Sequence, residues 1–204
     1  MRVLVVARTR MGADRVCVGG IDVATGTSLR LLGSDGWNLP EGHPIRPGEI
    51  WDLEYASRPV VEPPHVEDVI VSRGRRLDVV ERMRPAILDL VEPWRGSVRD
   101  IFDGRLVATD GGSGYITREP PLPTRSTGFW VATAKLPRRR FDDATRYALP
   151  GGGPIRSVKY VGMPDPVESI PRGALVRFSL ARWAEFPPGV EDERCYLQLS
   201  GWYA

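Results

Sequence analysis

One pattern occurs twice in this chain. Ile45-Arg46-Pro47-Gly48-Glu49-Ile50-Trp51-Asp52-Leu53-Glu54-Tyr55 puts Trp51, Leu53 and Tyr55 on one face of an extended segment and Asp52 and Glu54 on the other. The second copy comes 125 positions later, at Ile170-Pro171-Arg172-Gly173-Ala174-Leu175-Val176-Arg177-Phe178-Ser179-Leu180. Aligning Gly48 with Gly173 sets Trp51 on Val176, Leu53 on Phe178 and Tyr55 on Leu180. In both copies a Pro and Gly turn fixes the angle of arrival, and a period of two then lays one face on a core. A turn followed by a strand is common in β proteins. Two copies with the same apolar spacing in 204 residues point to two similar β units.

Other segments read the same way. Arg2–Arg8 is short and β-branched. Arg15–Asp22 is a strand whose adjacent Gly19 and Gly20 suggest a bulge. Ala24-Thr25-Gly26 closes a hairpin onto Ser28–Leu32, and 33–47 is a Gly- and Pro-rich loop. Further strands are expected at Phe129–Ala134, Arg156–Val161, Ala174–Leu180 and Cys195–Trp202. Strands this short, with turns this frequent, close more easily into barrels than into open sheets, because closure removes exposed edges. Between the two units the period changes. Leu77, Val79, Val80, Met83, Ile87, Leu88 and Val91 fall at helical spacing, so Arg76–Val91 is predicted as a helix kinked or divided at Pro85. Ser97 with Asp100 resembles a cap on a short helix ending at Gly104.

The net charge of +2 hides an uneven distribution. Within Tyr115–Tyr160 nine basic residues face three acidic ones. Only Lys135 and Lys159 of the 28 basic residues are lysines, and a guanidinium fork suits phosphate better than an ammonium does. Arg125, Trp130, Lys135, Arg138, Arg139, Arg140 and Arg146 lie inside this segment, among Phe129, Phe141 and Tyr147. Basic side chains interleaved with rings are the ingredients for gripping phosphates and stacking bases of a single-stranded nucleic acid. Alternation through Phe129-Trp130-Val131 allows one ring to face the core and leaves the other outside.

Catalytic patterns are sparse. His43 and His65 have no third ligand at metal spacing, and Cys17 and Cys195 lie in strands as small apolar residues. Gly19-Gly20 and Gly111-Gly112-Ser113-Gly114 lack the Gly-Lys-Ser/Thr that completes a phosphate loop. Neither a catalytic residue, a metal nor a cofactor is assigned. Asp22, Asp142 and Asp143 are the carboxylates worth testing if the chain is instead a metal-dependent nuclease or a small-molecule sensor. No apolar run reaches the length of a membrane span, so a cytoplasmic protein without membrane contact is expected.

The N-terminal hairpin, with Arg15, Cys17, Gly20 and Asp22 followed by Arg30, resembles the dual OB-containing domain family of bacterial proteins. Ser97–Phe102 and the closing Cys195–Trp202 extend the likeness over nearly the whole chain. Where many members place Trp before the strand arginine and Pro after it, this chain has Leu29 and Leu31. The resemblance implies two fused oligonucleotide/oligosaccharide-binding (OB) barrels and nucleic-acid contact, in some members within prokaryotic conflict systems. The expected fold is mainly β with a few helices: two small OB-like β-barrels, 1–75 and 111–204, joined by a helical connector, 76–110. The expected function is a non-catalytic module for single-stranded DNA or RNA. Arg8, Arg10 and Arg30 of the hairpin join the basic segment as candidate contacts. A scaffold for a protein partner encoded nearby is the alternative.

Overall fold

A computed structural model describes residues 1–12, 14–141, 144–184 and 192–204. The chain divides into two compact units, one made of Met1–Glu62, Val66–Glu92 and Tyr203, the other of Pro63–His65, Pro93–Trp202 and Ala204.

The first unit contains β1 (Arg2–Met11), β2 (Arg15–Asp22), β3 (Ser28–Leu32), the short β4 (Leu39–Pro40), β5 (Glu49–Ser57), β6 (Asp68–Val79) and helix α1 (Met83–Leu88). Its strand order is β1-β5-β6-β3-β2-β4, and β1 also pairs with β2, so five strands close on themselves. All these pairings are antiparallel except β3 with β6, which is parallel. That circuit is the OB topology. The bulge falls in β1, where the register shifts between Val5 and Ala7 opposite Gly20 and Gly19. Gly20 is required there, since a Cβ would stand 2.5 Å from Val3 Cγ1.

The predicted helix over Arg76–Val91 is corrected. Arg76–Val79 continue β6, and only Met83–Leu88 are helical. The apolar spacing at Leu77 and Val79 fits either period, and cross-strand pairing decides it. Glu54 meets Arg73 at 3.8 Å, Asp52 meets Arg75 at 3.6 Å and Glu49 meets Arg76 at 3.2 Å along the β5–β6 hairpin. Pro85 stays inside α1 because it sits in the first turn, where a missing N–H breaks no helical bond.

The second unit opens with two single 3₁₀ turns, Val98–Asp100 and Phe102–Gly104; the Ser97 hydroxyl caps the first by accepting from Arg99 N at 3.1 Å. Its strands are β7 (Val107–Ala108), β8 (Gly114–Ile116), β9 (Thr127–Val131), β10 (Leu136–Phe141), β11 (Ala144–Ala148), β12 (Ser157–Tyr160), β13 (Ser169–Ile170), β14 (Leu175–Leu180) and β15 (Cys195–Tyr203). The order β13-β10-β11-β12-β15-β14-β9 repeats the first circuit if β9 and β10 together stand for its broken first strand. Here too the third strand, β12, pairs in parallel with the last, β15.

The two copies of the Pro-Gly pattern occupy the same place. β5 and β14 are equivalent strands, and each is introduced by a glycine with positive φ, 91° at Gly48 and 82° at Gly173. Gly48 N donates to Val5 O at 2.9 Å, and Gly173 N donates to Ala132 O at 2.8 Å. The first turn thus bonds to β1 at its bulge, and the second to the residue directly after β9. Counting from these anchors, Val3 opposite Trp51 matches Trp130 opposite Val176. The large ring has changed strands while the filled position stays the same.

Candidate nucleic-acid interface

The expectation of an outward ring at Phe129-Trp130 is corrected by that exchange. Trp130 has no exposed surface and Phe129 is 4% exposed. The Trp130 indole lies 5.8 Å from the Phe178 ring, and its Nε1 donates to Gly96 O at 3.1 Å. It fills the core that Trp51 fills in the first unit, and no face is left for a base.

Several expected contact arginines are engaged within the protein. Arg8 is buried and donates to the carbonyls of Glu41, His43 and Ile45, tying the 33–47 loop to β1. Arg30 is buried in an ion pair with Asp68 at 3.3 Å, and Arg58 reaches the same carboxylate at 3.2 Å. Arg138 is neutralised by Glu168 and donates to Pro166 O. Arg125 lies over the Trp94 ring, 4.9 Å from its centroid. Arg10, Lys135 and Arg140 are exposed. Three consecutive arginines cannot share one strand face: Arg139 points away from Arg138 and Arg140.

What the sheet brings together is a row. Arg139 on β10 stands opposite Arg146 on β11, Arg146 opposite Lys159 on β12, and Lys159 opposite Gln198 on β15. Buried Val158, Tyr160, Tyr147 and Leu197 alternate with these positions, so the row lies on the outward face. Three cations span two inter-strand steps, about 10 Å. No ion pair joins Arg139, Arg146 or Lys159 to a described residue. Arg146 is fixed by its neighbours: Nε donates to Ser157 Oγ at 2.9 Å, and Nη2 to Ser113 Oγ at 2.7 Å and Ser157 O at 3.2 Å. Its Nη1 hydrogens make no bond to a described residue and remain available. Burial makes the Arg146 guanidinium a weaker base than usual.

Rings flank this row. Tyr196 lies two residues before Gln198 on the same face of β15, roughly 7 Å along the strand. It pairs with Tyr115 of β8, ring centroids 5.7 Å apart, and Arg194 covers Tyr115 at 4.5 Å. Phe141 is 67% exposed at the other end. Lys159, Tyr115, Tyr196 and Arg194 are absent from the sequence-based contact residues. Alternation in Cys195-Tyr196-Leu197-Gln198-Leu199 marks Tyr196 as outward, but only the β8–β15 pairing brings Tyr115 beside it.

On the corresponding four strands of the first unit a row reads Ala7, Gly19, Arg30, Asp68. There a single cation meets a carboxylate, whereas the row of the second unit ends on Gln198. Asp22, one of the carboxylates considered for metal, is a turn cap. It accepts from Tyr55 Oη at 2.7 Å, Ala24 N at 2.8 Å and Thr25 N at 3.1 Å. Burial alone would raise its carboxyl, and these hydrogen bonds reverse that and hold it below its ordinary value. Asp142 and Asp143 lie outside the described residues. Among the described residues no group of three or more His, Cys, Asp or Glu is placed to hold a metal ion, and no helix is long and apolar enough to cross a membrane.

Two OB-like circuits in one chain define an OB-fold module. The chain belongs to the dual OB-containing domain family, whose model matches residues 1–202. No curated protein and no solved structure matches the chain.

Proposed function

We propose that the chain is a non-catalytic module that holds single-stranded nucleic acid on the outward sheet face of its second unit. The observation that carries this reading is the row Arg139, Arg146 and Lys159, in direct cross-strand register with no described carboxylate paired to it. Like charges opposed on neighbouring strands cost about 0.2–1 kcal/mol per pair. An anion lying across the row converts that cost into attraction, and a phosphodiester backbone supplies anions in series. Phe141 and the half-exposed Tyr196 add ring surfaces of a kind worth about 1–3 kcal/mol per stacked base. Stacking requires bases free of a duplex, which favours single strands. A bacterial cytoplasmic setting, within a conflict system and beside a protein partner encoded nearby, rests on the family resemblance.

Filter binding of single- and double-stranded DNA and RNA across a salt series tests the reading. Single strands should bind best, with log Kd linear in log salt. The triple variant Arg139→Ala, Arg146→Ala, Lys159→Ala should bind about 100-fold more weakly at low salt. Its salt slope should be shallower by about 2, since each phosphate contact on a single strand contributes about 0.7. Absence of binding to all four nucleic acids, or an unchanged slope in the triple variant, would overturn it.

A further inference from the structure

The wall of the first barrel is split. β3 ends at Leu32, opposite Ile70, whereas β6 runs on to Val79 paired only with β5. From Val71 onward the other edge of β6 has no strand beside it among the described residues. β4 carries the wall forward along β2, through Arg15 opposite Pro40 and Val16 opposite Leu39. A cleft of about 440 Å³ opens between β4 and β6, wholly within the first unit. That volume is in the range of small-molecule sites.

Its walls are specific. The β5–β6 register shifts between Glu54 opposite Arg73 and Tyr55 opposite Val71, leaving Ser72 as an extra residue. This bulge lets Val71–Gly74 all line the cleft. Gly74 leaves room for the Leu53 side chain, since a Cβ there would stand 2.4 Å from Leu53 Cδ2. Leu39, Ile45, Trp51 and Leu53 supply apolar surface. Among the described residues no strand pairs with this edge of β6, whose backbone N–H and C=O groups offer alternating donors and acceptors.

The charged lining is two arginines against one carboxylate. Arg15 is held by Asn38 O at 2.6 Å and Asp35 at 3.5 Å; Arg73, on the facing strand, is 81% exposed and makes a loose ion pair with Glu54 at 3.8 Å, which an anion in the cleft would compete for. His43 also lines the cleft. Burial lowers the affinity of its ring for a second proton. Its Nδ1 accepts from Ile45 N at 3.4 Å, which puts the proton on Nε2 as a further donor. A ligand that satisfies these groups has a flat apolar ring with a hydrogen-bonding edge and carries an anion.

We propose that this cleft is a second binding site, separate from the oligonucleotide face, that takes a mononucleotide: the base against the open edge of β6, the phosphate at Arg15 and Arg73.

Isothermal titration of the full chain with AMP, GMP, CMP and UMP tests this, with adenosine and inorganic phosphate as partial ligands. At least one nucleotide should bind saturably at one site, and each partial ligand should bind at least tenfold more weakly. Arg73→Glu should weaken binding tenfold or more. Ser34→Trp, an exposed position that can fill the cleft, should abolish it. Both variants should keep the wild-type circular dichroism and oligonucleotide affinity. The triple variant of the cationic row should retain nucleotide binding. No saturable heat with any of the four at millimolar concentration overturns the proposal. So does binding that survives both cleft variants or disappears with the row. Loss of oligonucleotide binding alone bears only on the other face.

Discussion

On corresponding strands of the two barrels one row reads Ala7, Gly19, Arg30, Asp68 and the other Arg139, Arg146, Lys159, Gln198. The first row is small and internally neutralised, with Arg30 8% and Asp68 1% exposed. The second is cationic and ends on an amide rather than a carboxylate. Inside the barrels the difference is of another kind: Val3 facing Trp51 became Trp130 facing Val176, which keeps the filled volume and reverses the contributors. The core tolerates exchange as long as volume is conserved. The rows on the outer faces share no such volume to fill: the first is buried and self-neutralised, the second is cationic with Arg139 and Lys159 exposed, and there the two copies of one fold diverge.

Three experiments can break or sharpen this contrast. The largest effect is expected at Asp68. Asp68→Asn leaves Arg30 buried without its counter-charge and should cost about 3 kcal/mol in urea unfolding. Lys159→Gln, in the cationic row of the second unit, should have the opposite sign, a gain of a few tenths to about 1 kcal/mol from relieved repulsion. If both variants destabilise equally, the second row is not under charge strain.

The exchanged core pair comes next. Trp130→Val should destabilise by about 3 kcal/mol through the cavity it leaves. Adding Val176→Trp should recover at least half of that loss, because the ring would then come from the strand that carries Trp51 in the first barrel. A double variant less stable than Trp130→Val would end the equivalence drawn between the two cores.

The smallest effect is read by alkaline titration of tyrosine absorbance. Tyr55 in the first unit and Tyr160 in the second are both pushed up to about 12. For Tyr55 the causes are burial, then the hydrogen bond to Asp22 and its charge; for Tyr160 they are burial, then the neighbouring Tyr147 and Asp165. Each folded value lies above the ordinary 10.0. The stability each contributes is therefore fully present below pH 10 and is lost as pH rises through about 12. Asp22→Asn should bring Tyr55 back toward its ordinary value and leave Tyr160 near 12. Equal movement of both would show that Asp22 acts through unfolding rather than through its bond.

The barrels were legible in sequence because the Pro-Gly turn and the alternation after it are local signals, and Gly48 and Gly173 carry them in the same register. The extension of β6 was not, since Leu77 and Val79 satisfy a period of two and of 3.6 alike and only the ion pairs with β5 settle the matter. Arg139 and Arg146 were legible as basic residues, and so was Lys159. Their alignment was not, because it depends on the register of two hairpins and on β10 and β11, which were read only as a charged segment. Arg8, Arg30 and Trp130 show the reverse case. Their residue types suit nucleic acid, but burial commits them to carbonyls, a carboxylate and the core.

The near-absence of lysine has a practical consequence. Arg139 and Arg146 are inert to amine reagents, so Lys159 is the only primary amine in the cationic row, and Lys135 is the only other lysine side chain. Selective acylation followed by peptide mass mapping would therefore compare one reporter inside the row with one outside it. Charge removal at Lys159 by acetylation would alter the row at a single point and leave its two guanidinium groups untouched.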